Sequence, residues 1–248
     1  MLQNFESLVL VWLGLGFLTF ITLLKIPAPY GKFSKTNWGP MIPSKLGWFV
    51  MEVISPLALL YFFFKGNIEL TPTNMTFITL WSLHYFNRSV IYPLRQNNPA
   101  KMPLLIAILA FLFNVVNGYI NGTHLGNIQA YSIDYMSNWN FIIGVCLFIT
   151  GAYINIKSDN ILLSLRSKSG EYKVPEGFMF RYVSFPNYLG EILEWMAFAI
   201  MTWSLAGLSF MIWTMANLVP RAIKGHQWYH SKFESYPKDR KAIFPFII

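Results

Sequence analysis

Two polar clusters interrupt an otherwise apolar chain: Asn155-Ile-Lys-Ser-Asp159 with Arg166 further on, and Asn187-Tyr-Leu-Gly-Glu191-Ile-Leu-Glu194. Asn155 and Asp159 are four apart, and Asn187, Glu191 and Glu194 follow at spacings of four and three, so each set falls along one helical face. Arg suits phosphate, while Asp and Asn suit sugar hydroxyls or amides. Helix capping with a surface ion pair would use the first set equally well. Buried pairing with Arg166 or Arg221 would use the carboxylates of the second. Earlier in the chain, Glu52 lies in Trp48-Phe-Val-Met-Glu52-Val-Ile-Ser-Pro56 without a basic neighbour, and His84-Tyr85-Phe86-Asn87-Arg88 crowds aromatic and hydrogen-bonding groups together. A charge deep in an apolar helix costs roughly 3 kcal/mol, so Glu52 is neutral, paired or facing water. Set against Tyr85 across a helix pair it would polarise a carbonyl: the phenol donates to the substrate oxygen and the carboxyl orients the phenol. A structural ion pair for Glu52, and an interfacial aromatic belt with Arg88 snorkelling, are the plain alternatives.

The elements that must position these groups are membrane helices. The 248 residues are 54% hydrophobic, 18% aromatic and only 12% charged, against about a quarter charged in soluble domains. Runs long enough to cross a bilayer, which needs roughly 20 apolar residues, occur at Leu8 to Leu24, Leu46 to Phe64, Met75 to Tyr92, Pro103 to Ile120 and Trp139 to Ile156. Tyr188 to Val219 holds 32 residues; as a helix that is about 48 Å, too long for one hydrocarbon core of about 30 Å. A break near Ser204-Leu-Ala-Gly207 divides it into two crossings. Glu6 and the lack of Lys or Arg in residues 1–10 predict that the first run is retained as a helix rather than cleaved as a signal peptide.

The net charge of +8 would point to nucleic acid in a soluble chain, but here orientation in the membrane accounts for it. The first loop carries Lys25, Lys32, Lys35 and Lys45, the third Arg88, Arg95 and Lys101, and the fifth Lys157, Arg166, Lys168, Lys173 and Arg181. The second offers Lys65 alone, and the fourth, Asn121 to Asn138, no basic residue. Odd loops therefore face the cytoplasm. The basic tail from Arg221 joins them only if there are seven spans, with the N-terminus outside and the C-terminus cytoplasmic. The predicted fold is all-α, a polytopic membrane protein forming one seven-helix bundle, with its site between helices.

In the tail, Arg221, Lys224, His226, Trp228, Tyr229 and His230 mix basic and aromatic groups. They could clamp phosphates and stack on a nucleobase, or anchor the chain to anionic lipid. Several other chemistries are excluded. One cysteine, Cys146, expected in the packed interior, rules out an intrachain disulfide framework and any CxxC site. Gly14-Leu-Gly16 reads as a helix-packing pair, not a dinucleotide fingerprint, since no strand precedes it. Four histidines are too few for a histidine-box di-iron centre, so no metal is expected. Of three glycosylation patterns, Asn121-Gly-Thr alone is expected on an outer loop.

Taken together, these segments resemble the steroid 5α-reductase family over nearly the full length. The most specific stretches are Asn155 to Arg166, Tyr182-Val-Ser-Phe-Pro-Asn187-Tyr-Leu-Gly-Glu191-Ile-Leu-Glu194-Trp195, and the end, Phe233-Glu-Ser-Tyr-Pro-Lys-Asp-Arg-Lys-Ala-Ile-Phe-Pro-Phe-Ile-Ile248. Shorter echoes are Tyr30-Gly-Lys32, Glu52, and His84-Tyr85-Phe86 with Arg88. Tyr92 to Lys101 and Lys224 to Gln227 depart from the family pattern. The short loops suggest a bacterial member.

The resemblance implies an NADPH-dependent enzyme that reduces the Δ4 carbon-carbon double bond of a 3-oxo-Δ4 steroid, with hydride reaching C5. It assigns Glu52 and Tyr85 to the C3 carbonyl. It assigns Asn155, Asp159, Arg166, Tyr172, Asn187, Glu191, Arg221 and Tyr229 to the cofactor, with Arg88, Tyr92, Tyr30 and Lys32 as further contributors, and gives Glu194 a structural role. Residues 1–120 become mainly the substrate side and 139–248 mainly the NADPH side. The implied partners are a steroid or other flat lipid enone and membrane lipid, with no nucleic acid, for a monomer in the inner membrane of a bacterium or the endoplasmic reticulum of a eukaryote. The alternatives are a reductase of another lipid enone or enoyl-CoA, and an isoprenylcysteine-methyltransferase-like enzyme, which would have no evident use for Glu52 or Tyr85.

Overall fold

The computed structural model describes residues 2–97, 101–165 and 172–248. Its long helices are α1 (Leu2–Lys25), α2 (Ser44–Phe64), α3 (Pro72–Phe86), α4 (Leu104–Thr123), α5 (Trp139–Leu165), α6 (Pro186–Thr202) and α7 (Leu205–Lys232). Four segments, Gln3–Lys25, Ser44–Phe64, Leu104–Ile128 and Trp139–Leu165, are long and apolar enough to cross a membrane. The long sixth run does divide. The break falls at Trp203 and Ser204, at the start of the expected stretch, with Trp203 in the left-handed region (φ 46°) closing α6.

The chain forms two compact units. The first comprises residues up to Val9, Ala28–Ile142 and Ser204–Ala206, and the second Leu10–Pro27, Ile143–Trp203 and Gly207–Ile248.

In the first unit a short antiparallel ribbon, β1 (Met41–Pro43) with β2 (Lys101–Pro103), leads into α2 and α4. These two helices pack in parallel with a constant register. A Cβ on Gly118 would strike Ala58 and Leu59, one on Gly122 would lie 2.5 Å from the Leu59 carbonyl, and one on Gly126 would meet the backbone of Phe63. The stripe Gly118-x3-Gly122-x3-Gly126 lets the backbones approach without side chains between them, which is how apolar helices associate where burial from water offers no driving force. Thr71 caps α3 by accepting from the Asn74 N–H at 3.2 Å, and Pro72 occupies its first turn. Past Phe86 the helix widens into a π-turn over Asn87–Ile91.

In the second unit α5 and α6 meet through Gly151 and Gly190, where a Cβ on either would overlap the other's backbone oxygen within 2.7 Å. The tail folds back so that the Ser184 and Phe185 N–H groups donate to Lys241 and Ala242 (2.8 and 3.1 Å), pinning the entry to α6. Phe185, Leu189, Ile192, Tyr229, Tyr236 and Ile243 form the core there.

Three expectations are corrected. Asn121 is not on an outer loop: α4 continues through it, and its buried side chain donates to the Asn117 carbonyl at 3.1 Å, so Asn121-Gly-Thr is not an accessible sequon. Cys146 is exposed, because its helix turns the opposite face, with Gly144 and Gly151, toward α6. Of the glycine pair in α1 only Gly16 packs, beneath the Trp213 indole; Gly14 has nothing within 4 Å.

Candidate active site

Two constellations emerge, one in each unit. In the first, the constant register of α2 and α4 places Asn114 one turn below the glycine stripe, opposite Met51. Its Nδ2 donates to the Met51 carbonyl at 2.6 Å, and its Oδ1 accepts from the Tyr85 hydroxyl at 3.1 Å. Tyr85 and Asn114 are each only 4% exposed. One turn along the same faces, the Trp81 indole donates to Ser55 Oγ at 3.2 Å. Trp81 and Tyr85 are four apart on α3, and Met51 and Ser55 four apart on α2, so two rungs fasten one helix face to the other. Glu52, half-buried, is the residue that follows Met51 on this ladder. Pro56 lies within α2 and has no N–H to offer the Glu52 carbonyl four residues back, which loosens the helix where the carboxyl sits.

Beyond Tyr85 the π-turn rotates Arg88 inward. Its guanidinium lies 4.9 Å from the ring centroids of both Trp48 and Tyr92, and Tyr30 meets Trp48 edge-on at 6.3 Å. Tyr30, distant in sequence from Arg88 and Tyr92, therefore shares one aromatic cage with them around Trp48. Lys32 instead points over Phe33, at 5.5 Å.

In the second unit the close approach at Gly190 sets Asn155 against the start of α6. Asn155 Nδ2 donates to the Asn187 carbonyl at 2.9 Å, and Asn187 Nδ2 donates to Asp159 Oδ1 at 3.0 Å. Asn155 and Asp159 do face the same way, both buried, and Asn187 bridges them. Glu194 is buried and Glu191 half-buried further along α6. Arg221 Nε donates to the Tyr188 hydroxyl at 3.0 Å, and Tyr188 stacks on Phe185 at 5.2 Å. Tyr172 is exposed and meets Trp228 edge-on at 5.0 Å, while Tyr229 is stacked inside the core on Tyr236 at 5.1 Å. Arg166 lies outside the described residues.

A further cluster supports the tail. Ser184 Oγ lies 2.6 Å from His226 Nδ1 and 2.7 Å from the Tyr236 hydroxyl, and Arg240 Nη1 donates to the Pro175 carbonyl at 3.1 Å. Burial, then the neighbouring His230, Arg240 and Lys241 charges, push the His226 pKa down to about 4.

Sequence reasoning missed Asn114, Trp48 and Ser184. Asn114 carried a signal: Asn114, Asn117 and Asn121 recur at spacings of three and four inside an apolar run, and polar groups at such depth call for explanation.

The second constellation suits a dinucleotide. It offers amide, carboxylate and guanidinium groups near exposed aromatic surface, and Asn187 Oδ1 is a buried acceptor with no hydrogen-bond partner among the described residues. Such an atom costs about 1–3 kcal/mol unless something donates to it, as the carboxamide or ribose of a cofactor would. Among the described residues no group of three or more His, Cys, Asp or Glu side chains is placed to hold a metal ion.

Residues 100–248 match the family model described as 3-oxo-5-alpha-steroid 4-dehydrogenase. The chain is 44% identical over 241 residues to steroid 5-alpha-reductase DET2 of Arabidopsis thaliana, covering 92% of this chain and 91% of that protein. It is 42% identical to DET2 of Solanum lycopersicum, covering 98% and 96%. To 3-oxo-5-alpha-steroid 4-dehydrogenase 1 of Rattus norvegicus it is 37% identical, covering 94% and 92%.

Proposed function

The chain belongs to the 3-oxo-5-alpha-steroid 4-dehydrogenase family, and on that premise we propose that it reduces the Δ4 double bond of a 3-oxo-Δ4 steroid with NADPH. NADPH, when bound, would supply the hydride that reaches C5, and C4 takes a proton from solvent. The remaining work falls to the chain. Reduction of an enone moves negative charge onto the C3 oxygen, and a buried donor aimed there lowers the barrier. Tyr85 is that donor once its single hydroxyl hydrogen, which Asn114 Oδ1 accepts in this structure, turns to the carbonyl. Glu52 orients the phenol. Asn155, Asp159, Asn187, Glu191 and Arg221 hold the cofactor by amide, carboxylate and guanidinium contacts, and Arg166 and Tyr172 extend that site. Tyr229 serves it from the core by fixing the aromatic wall behind Tyr188. The Arg88, Trp48, Tyr92 and Tyr30 cage, with Lys32 nearby, contributes a cationic surface.

The observation that carries this reading is the buried chain from the Tyr85 hydroxyl through Asn114 to Met51, which brings the phenol to the turn of α2 that bears Glu52. Residues 1–120 form mainly the substrate side and 139–248 mainly the cofactor side. The protein crosses the membrane seven times as a monomer, with odd loops and tail cytoplasmic, because Lys and Arg concentrate there. The direct test is purified protein in detergent with NADPH and testosterone or progesterone. The reading expects consumption of both and a 5α-dihydro product. No NADPH oxidation with any enone, together with methyl transfer from S-adenosylmethionine, would overturn it.

A further inference from the structure

We propose that Asn114 is a positioning residue that locks the Tyr85 phenol to the Glu52 segment of α2; the proposal rests on the carbonyl-polarising role given to that pair. The Met51 carbonyl can only accept, so the Asn114 amide must turn its NH2 group toward it, at 2.6 Å. Its oxygen is thereby left facing the phenol, and the Tyr85 hydroxyl rests its one hydrogen there, at 3.1 Å, until a substrate carbonyl takes it. The amide cannot flip without setting oxygen against oxygen at Met51. One side chain thus fixes both ends.

The brace sits where α2 needs it. Pro56 removes an N–H from the ladder opposite Glu52, and a helix interrupted this way bends at the freed carbonyl. The amide ties the phenol to the α2 backbone one residue before the acid, so phenol and acid move together. Asn114, Tyr85 and Met51 are at most 5% exposed, so solvent does not substitute for the lost bonds. The constant register of α4 on α2, enforced by Gly118 and Gly122, sets the amide at this height and no other. Catalytic groups misplaced by about 1 Å lose on the order of 100-fold in rate.

A purely structural role for Asn114 makes a different prediction, and a double-mutant cycle separates the two. Four proteins are compared at saturating NADPH and steroid: the unaltered chain, Asn114→Ala, Tyr85→Phe and the double variant. NADPH affinity is measured on each. Asn114→Ala should lower kcat about 10- to 100-fold and leave the NADPH Kd unchanged, and the double variant should be no slower than Tyr85→Phe alone. Asn114→Leu, which fills the space without polar atoms, should repeat this if Ala folds poorly. Full kcat in both Asn114 variants, or losses that multiply in the double variant, overturns the positioning role while Tyr85 keeps its own. Full turnover in Tyr85→Phe removes the underlying reading and this proposal with it.

Discussion

Asn187→Ala is the sharpest probe of the proposed cofactor site. Asn187 uses its backbone carbonyl to accept from Asn155 and its Nδ2 to donate to the buried Asp159 carboxylate at 3.0 Å, while Oδ1 is buried with no hydrogen-bond partner among the described residues. Truncation spares the backbone contact but deletes both side-chain functions. A hydrogen bond to a charged group contributes about 1.5–3 kcal/mol. Loss of that magnitude from the arrangement proposed to bind NADPH should weaken Kd roughly 10- to 100-fold. The assay is NADPH binding to purified protein in detergent, followed by fluorescence or calorimetry, with the thermal midpoint recorded alongside. Asn187→Asp should be worse than Asn187→Ala, since it sets a second carboxylate about 3 Å from the first. An NADPH Kd within twofold of the unaltered chain in a folded Asn187→Ala protein would refute the reasoning, because the orphan oxygen would then not face the cofactor.

Two further predictions concern the scaffold. Gly122→Leu places a side chain where even a Cβ lies 2.5 Å from the Leu59 carbonyl, so the thermal midpoint should fall with a loss of about 1–3 kcal/mol; an unchanged midpoint would mean that α2 and α4 are not held by this stripe. His226 has its pKa lowered to about 4 from 6.5, so the neutral ring is the form the fold prefers. Its contribution is present above pH 6.5 and declines as pH falls toward 4, and His226→Asn should therefore flatten the loss of stability across that window; an unaltered acid profile would contradict it.

Much of the helical plan was legible because it follows from length and charge. Apolar runs near 20 residues gave the helices, and a run of 32 residues had to divide. The spacing of Asn155 and Asp159 was sufficient to set them on one face. What stayed hidden depends on contacts between helices. Asn114 reaches Tyr85 only because Gly118, Gly122 and Gly126 fix the register of α4 on α2, and periodicity within one helix carries no such information. Trp48 read as part of an apolar approach to Glu52, yet the π-turn at Asn87–Ile91 swings Arg88 onto its ring. Asn121 and Cys146 were misjudged because local polarity and burial do not reveal where a helix ends or which face it turns inward.

The central claim is that an acid and a phenol polarise the substrate carbonyl, and turnover by Glu52→Gln and Tyr85→Phe with NADPH binding measured on the same preparations tests it most directly. Each variant should lose about 10² to 10³ in kcat while NADPH binds nearly as before. Full turnover in either, or loss of cofactor binding in step with loss of rate, would contradict it.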